Sequence, residues 1–238
     1  MLDFKRILVT GGYGFIGSAV LRELLKTTNA EIFNIDKFSS ISDDESIKVL
    51  LNSDESLNKR YKFLEVDLFN SSLLSSTIDK IQPDLVFHLA AESHVDRSIE
   101  NPSTFLESNI IGTYNLLQAV RTHWKKLSPR RKGFFRFHHV STDEVFGSLT
   151  GEGSFSEKSS YEPTSPYAAS KASSDHIVRA WFHTYNIPIV ITNSSNNFGE
   201  WQFPEKLIPL SIIKALKKEN IPLYGDGKNV RDWIFVED

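Results

Sequence analysis

Short apolar runs alternate with longer amphipathic stretches along most of the chain, the pattern of parallel strands joined by crossover helices. The runs predict strands over 5–10, 31–36, 61–66, 85–89, 134–141 and 187–193. Amphipathic spacing predicts helices over 15–27, 71–80, 102–124 and 166–184. Gln82-Pro83-Asp84 separates the second helix from the fourth strand, and Pro188, near the start of the sixth strand, suits an edge or entry position. Strands apolar along their whole length belong in a sheet covered on both faces. The fold class is therefore α/β, a doubly wound parallel sheet with right-handed crossovers. Two stretches break the rhythm. Residues 38–60, rich in Ser, Asp, Asn and Lys, predict a mobile insertion. From Asn196 the alternation weakens, and Gly225-Asp226-Gly227 predicts a tight turn. RDWIFVED is strand-like up to Val236 and then stops, so a first domain over 1–195 is followed by a small, truncated region over 196–238.

Composition narrows the classes. Hydrophobic residues make up 40% of the 238 and charged residues 24%, the balance of a globular protein with a real core. A net charge of -3 and the lack of a long basic cluster argue against nucleic acid as a partner. The densest basic stretch, Lys125, Lys126, Arg130, Arg131 and Lys132, reads as a solvated helix end and loop. Cysteine is absent, which excludes disulfides, thiolate nucleophiles and Cys-based zinc sites. No apolar run approaches the roughly 20 residues that span a bilayer. A cytoplasmic location is expected, with no membrane partner.

Between the first strand and first helix lies TGGYGFIGS, with G-x-G-x-x-G at Gly12, Gly14 and Gly17. In that context the glycines let backbone turn sharply and approach a diphosphate, whose charge meets the helix N-terminus. Asp36 ends the second strand, 19 residues after Gly17. A carboxylate there accepts from both adenosine ribose hydroxyls and repels a 2′-phosphate, favouring NAD over NADP. Asp67, with Leu68 beside it, follows the third strand; it either accepts from the adenine amino group, caps the next helix, or does both. The fourth strand ends in His88-Leu89-Ala90-Ala91-Glu92, small enough to let backbone approach the cofactor.

Tyr167 and Lys171 stand at i and i+4 on one helix face. The ammonium and a cationic nicotinamide ring would together lower the phenol pKa, making it a base for a hydroxyl proton as hydride leaves the same carbon. Thr142, Asp143 and Glu144 leave the carboxyl end of the fifth strand, where doubly wound sheets bind ligands. Hydroxyl oxidation needs only Thr142. The adjacent acids are either an acid and base for elimination of water, or turn residues only. His94 and Asp96 read as an ordered loop beside the substrate, since metal-ligand spacing is lacking. His138 and His139 alternate faces in a strand, so at most one points inward, and packing or surface placement is expected for both.

TGGYGFIGS, HLAAESHVDRSI, VSTDEVFG, YAASKASSD, SNNFG, QFPEKLIPL and GDGKNVRDW together resemble the extended short-chain dehydrogenase/reductase family and, within it, the dTDP-glucose 4,6-dehydratases. The likeness runs over essentially the whole chain, and it makes 1–195 an NAD-binding Rossmann domain and 196–238 part of a substrate region. It implies cofactor contacts from Gly11, Gly12, Gly14, Phe15, Ile16, Gly17, Asp36, Lys37, Ser39, Asp67, Leu68, Leu89, Ala90, Ala91, Ser93, Ser108, Tyr167, Lys171 and Asn196. The resemblance further implies that Tyr167, helped by Thr142 and Lys171, takes the 4-hydroxyl proton of a nucleotide-linked hexose while NAD takes the C4 hydride. Glu144 then removes the C5 proton, Asp143 protonates the departing 6-hydroxyl, and the hydride returns to C6. Ser93, Thr142, Asn197, Lys206, Leu207, Pro222, Leu223, Tyr224 and Arg231 are implied to contact the sugar and nucleotide diphosphate, Arg231 with a fork suited to phosphate. A homodimer paired through helices 102–124 and 166–184 is implied as well, although those faces could be buried within one subunit.

The motifs depart from the family in places. Where relatives usually read TRCSNNYG, this chain has TNSSNNFG, with Asn193 for Arg and Phe198 for Tyr, and Glu200 stands in place of Pro. Two other functions remain open on sequence. A 4-epimerase keeps Tyr167 and Lys171 but has no use for the acid pair, and a catalytically impaired NAD-binding fragment would hold cofactor without turnover.

Overall fold

The architecture comes from a computed structural model that describes residues 4–38, 42–149, 153–223 and 225–238. Six parallel strands, β1 (Arg6–Thr10), β2 (Glu31–Asp36), β3 (Tyr61–Glu65), β4 (Leu85–His88), β5 (Arg136–Thr142) and β6 (Ile189–Ser194), lie in the order β3-β2-β1-β4-β5-β6. The order reverses direction at β1, so its carboxyl end and that of β4 open a crevice where doubly wound sheets bind ligands. Register brings Thr10 beside His88, His88 beside His139, and Thr142 beside Ser194. The side chains that matter below thus leave the sheet along one edge. As expected from Pro188, β6 lies at an outer edge.

Strand periodicity divides the core in two. Leu8, Phe33, Ile35, Val86 and Phe137 face one layer of helices, whereas Ile7, Val9, Ile32 and Leu85 face the other. The first layer holds α4 (Ser71–Ile81), α7 (Thr113–Lys126) and α9 (Pro166–Tyr185); the second holds α1 (Phe15–Thr27), α2 (Glu45–Ser53) and α3 (Glu55–Asn58). Local sequence sets the helix limits. Asn70 caps α4 by accepting from the Leu73 N–H, and Gln82 ends it in the left-handed region. Ser165 caps α9 ahead of Pro166 at its first position, and Asn186 ends it at φ +57°, as N-caps and left-handed C-caps require.

Three expectations fail here. Residues 38–60 are not simply a loop: α2 and α3 sit within them, and Ile47 and Leu57 are buried against Leu21 and Leu25 of α1. Two buried apolar anchors in a polar stretch were enough to dock the segment, with Asp54 capping α3 through the Ser56 N–H. The helix expected over 102–124 is not uniform either. It runs as α6 (Pro102–Phe105), a π-helical segment (Leu106–Gly112) and α7. Around them lie two short helices, α5 (Val95–Glu100) and α8 (Pro129–Phe134); Pro129–Phe134 stands where the sequence suggested loop. Beyond the main sheet, β7 (Asn196–Phe198) pairs in parallel with β8 (Trp233–Phe235), and α10 (Leu207–Leu216) lies between them in sequence.

Candidate active site

The glycine turn is packed too closely for any side chain. Gly11 has φ +73°, and a Cβ on it would lie 2.6 Å from the Ala90 backbone. A Cβ on Gly17 would run into the Gly11 carbonyl, and one on Gly12 into the Asn34 side chain. Asn34 is itself fully buried in β2. Its Oδ1 accepts the Gly12 N–H at 3.1 Å and its Nδ2 donates to the Tyr61 hydroxyl at 3.1 Å, which donates to Tyr13 at 3.2 Å. The Tyr13 N–H donates to Asp36 Oδ2 at 3.0 Å. Phe15 and Ile16 follow in the first turn of α1, whose leading amides lack intrahelical partners.

Asp36 is half-buried, and burial pushes its carboxyl up while backbone donors oppose this. The Phe38 N–H donates to its other oxygen at 3.3 Å, and a carboxylate with about four acceptor sites can still receive a diol. Beyond β2 and β3, Lys37, Phe38, Glu65, Asp67, Asn70 and Leu73 line a cavity of about 420 Å³. Asp67 does not cap α4, since Asn70 does; its Oδ1 instead accepts the Phe69 N–H at 2.8 Å. The Leu68 side chain belongs to the core. Lys37 bridges to Glu92 at 2.9 Å, tying the ends of β2 and β4 together. Ser39 lies outside the described residues.

At the end of β4, a directional chain of polar groups crosses the crevice floor. The Ala90 N–H donates to Thr10 Oγ1, which lies 2.8 Å from His88 Nδ1. His88 Nε2 lies 2.9 Å from Thr113 Oγ1, and that hydroxyl donates to the Asn109 carbonyl at 2.6 Å. Because Thr113 spends its proton on Asn109, His88 donates from Nε2; burial pushes its pKa well down, so the ring is neutral and Nδ1 accepts from Thr10. Asn109, buried in the π segment, accepts the Glu92 N–H at 2.8 Å and donates to the Glu92 carbonyl and to Ser170, each at 2.9 Å. Ser170 passes the contact to the Tyr167 carbonyl. The wide π turn, of a kind common at functional sites, thus grips both the loop after β4 and α9. Leu89, Ala90, Ala91 and Ser108 are half-buried around it, whereas Ser93 is exposed.

Tyr167 and Lys171 face the end of β5 from α9, both buried. The Lys171 ammonium donates to the Val140 carbonyl at 2.8 Å, and burial brings its pKa down to about 8. For Tyr167 the balance differs from the one expected. Burial and then the Glu144 charge push the phenol up, with a hydrogen bond to Thr142 opposing. The residues after Thr142 form a 3₁₀ turn (Asp143–Phe146), anchored by buried Val145 and Phe146. Thr142 Oγ1 accepts the Glu144 N–H at 3.2 Å and donates to Asp143 at 3.3 Å. Asp143 and Glu144 are therefore turn residues and also a carboxylate pair. Burial raises both; for Glu144 the Asp143 charge raises it further, while Arg231 and Lys206 pull it down.

The C-terminal segment is gathered only in part. Asn196 and Asn197 are half-buried in β7, and Lys206, half-buried before α10, is pushed down by burial. Glu205 ties this stretch to α5 and its N-cap, 2.8 Å from Arg97 and 3.6 Å from His94 Nε2. Leu207, Pro222, Leu223 and Arg231 are exposed, and Tyr224 lies outside the described residues. Of the departing residues, Asn193 donates to the Thr142 carbonyl at 3.1 Å, Phe198 packs 5.6 Å from Phe235, and Glu200 is exposed. Among the described residues no group of three His, Asp or Glu side chains could hold a metal, and no helix is long and apolar enough to cross a membrane. Sequence reasoning missed Asn34 and Asn109 as site-shaping groups and left His88 without a role; a polar residue inside an apolar strand was the available signal for Asn34 and His88.

The model of the GDP-mannose 4,6 dehydratase family matches residues 8–238. The chain is 50% identical over 242 residues to the dTDP-glucose 4,6-dehydratase of Escherichia coli, covering 98% of this chain and 66% of that protein. It therefore spans just under two thirds of that relative's length. A double mutant of the Streptomyces venezuelae dTDP-glucose 4,6-dehydratase, crystallised with NAD, superposes with a TM-score of 0.87 at 41% identity, over 98% of this chain and 69% of that one. The UDP-glucose 4-epimerase of Thermotoga maritima follows at TM-score 0.83 and 27% identity, over 97% and 69%. By sequence and by fold, the chain belongs to the GDP-mannose 4,6 dehydratase family.

Proposed function

We propose that this protein is a nucleotide-sugar dehydratase that converts dTDP-glucose to dTDP-4-keto-6-deoxyglucose with NAD as resident cofactor. The observation that carries this reading is the Asp143–Glu144 pair, held in a 3₁₀ turn beside Tyr167 and Lys171. A hydroxyl oxidation or epimerisation has no work for two raised carboxyls, whereas loss of water from adjacent carbons needs an acid and a base.

The residues fit NAD. The turn excludes a Cβ at Gly11, Gly12 and Gly17, Asp36 stands at the ribose end, and a cavity opens past Lys37 and Asp67. When bound, NAD would supply a hydride acceptor and donor and a positive charge favouring ionisation of the Tyr167 phenol, against the burial and Glu144 charge that raise it. Tyr167 takes the 4-hydroxyl proton, with Thr142 hydrogen-bonded at the same oxygen and Lys171 supporting the phenolate. The resulting ketone acidifies C5. Glu144, as carboxylate, removes the C5 proton, and Asp143, as acid, protonates the 6-hydroxyl so that it departs as water. Glu144 then returns its proton to C5. Arg231 and Lys206, which already act on Glu144 through their charge, are the cations for the substrate diphosphate, and residues 196–238 form part of the substrate region beside an NAD-binding domain over 1–195.

Incubating the NAD-loaded protein with dTDP-glucose should give the base-induced ultraviolet chromophore of a 4-keto-6-deoxy sugar. Recovery of a C4 epimer instead, or of unchanged sugar, would overturn the reading. A homodimer completes the proposal. Tyr114 and Phe182 are exposed on α7 and α9, Tyr114 meets Trp181 edge-on at 5.9 Å, and Arg121 stacks over Tyr185 at 3.9 Å. Light scattering at a single-subunit mass would refute it.

A further inference from the structure

Behind the catalytic pair lies a buried charge that the proposed chemistry leaves unused. Asp175 follows Lys171 by four residues, as Lys171 follows Tyr167, so all three share one face of α9. Asp175 is 0% exposed, yet three groups converge on it. Its Oδ2 accepts from Ser141 Oγ and from the Tyr161 hydroxyl, each at 2.8 Å. Oδ1 lies 3.0 Å from Nε2 of His139, also 0% exposed. Arg179 donates to the Tyr161 hydroxyl at 3.0 Å from outside.

A purely structural account fits poorly. A buried carboxylate is costly, and apolar packing of similar volume commonly does as well or better. The cost makes sense if the charge acts on a neighbour. The ionisable groups facing Asp175 are Lys171 and Tyr167 on its own helix, His139 on β5, and Tyr161 with Arg179 behind it. His139 is neutral, its pKa brought down to about 4 by burial. Arg179 reaches the Tyr161 hydroxyl rather than Asp175, which leaves Lys171 as the cation Asp175 balances, and Asp175 is the group that works against the burial of Lys171.

We propose that Asp175, fixed by Ser141, Tyr161 and His139, is a positioning residue: the buried counter-anion that keeps Lys171 an ammonium beside Tyr167. The inference rests on the reading of Tyr167 and Lys171 as the proton-handling pair. It is tested in the NAD-loaded protein with Asp175→Asn, which preserves shape and removes charge. Lysine-selective isotope-labelled NMR, with Lys171→Arg to assign the signal, should show the Lys171 midpoint falling by about one to two pH units, the size of a charge interaction across one helical turn in a partly screened interior. The alkaline limb of kcat/KM for the sugar nucleotide should fall with it. An unmoved midpoint overturns the inference even where the parent converts substrate; a parent that converts no sugar overturns the dehydratase reading, while the NMR titration still decides the role of Asp175. Should Asp175→Asn not fold, the same change in a Lys171→Met background decides the matter. With no ammonium to balance, the double variant should fold, and an equal loss of fold in both backgrounds overturns the inference.

Discussion

Glu144 and Asp143 differ by one position along a 3₁₀ turn, and that offset assigns them separable tasks. Glu144 is raised by burial and then by its neighbour's charge, while Asp143 is raised by burial and steadied by Thr142. Replacing Glu144 with Gln should lower product formation by about a hundred- to ten-thousand-fold, the usual contribution of a positioned base. It should also stop the wash-in of solvent deuterium at C5. Asp143→Asn should lose product to a similar degree yet keep the C5 exchange, because the base is intact and only departure of the hydroxyl is blocked. Mass spectrometry of recovered sugar nucleotide reads both, and matching exchange in the two variants would remove the division of labour. Gly17 makes a steric case at the same scale. A methyl there meets the Gly11 carbonyl, so Gly17→Ala should lose bound NAD, measured as nucleotide released on denaturation, while Gly14→Ala, whose Cβ would stand 3.3 Å from that carbonyl, should lose less. Residues of this kind were legible in the sequence because their chemistry is local: TGGYGFIGS, Asp36, and Tyr167 with Lys171 each declare themselves within a few positions. Tyr167 was legible in identity but not in electrostatic balance, since the charge that pushes it up belongs to Glu144 on another element.

Strands were predicted to within a residue or two because both faces of the sheet are covered, which leaves an uninterrupted apolar run for each. The elements that escaped depend on contacts distant in sequence. Helices α2 and α3 form because Ile47 and Leu57 reach the α1 face, a fact invisible in a stretch dominated by Ser and Asp. The π segment escaped for a stronger reason. Its apolar spacing is nearly that of an α-helix, and what it serves is Asn109, whose partners Glu92 and Ser170 lie 17 and 61 residues away. Asn109→Leu keeps the volume, strands the Glu92 N–H and carbonyl, and removes the donor to the Ser170 hydroxyl. Leaving buried groups unpaired at about 1–3 kcal/mol each, partly relieved by relaxation, gives an expected loss of about 2–4 kcal/mol in urea unfolding. Because the same residue holds the loop after β4, NAD retention should weaken together with stability. A loss below about 1 kcal/mol would mean that the π turn stands without its clamp.

For the molecule as a whole, burying two histidines at the sheet edge makes acid the vulnerable side. His139 has a folded pKa of about 4, against 6.5 for the free side chain, and His88 is displaced in the same direction, burial being the first cause for both. A base with a depressed folded pKa stays neutral in the native state while the unfolded chain takes up its proton. Stability is therefore intact above pH 6.5 and declines as pH falls toward 4, by about 3 kcal/mol for His139 at 1.36 kcal/mol per unit. Asp36, Asp143 and Glu144 work in the opposite sense, since their raised values favour proton uptake by the folded chain. They are only partly buried, so solvent screens much of that gain. Asp175, with its lowered value, loses its contribution only below the unfolded carboxylate range, outside this window. The net expectation is a urea midpoint that drops between pH 7 and pH 5. His139→Gln, which retains a donor toward Asp175 but cannot titrate, should flatten that drop even if it lowers stability at pH 7. An unchanged slope in the variant would assign the acid sensitivity to the other histidines that burial pushes down, His123, His138 and above all His88 with its proton chain from Thr10 to Asn109.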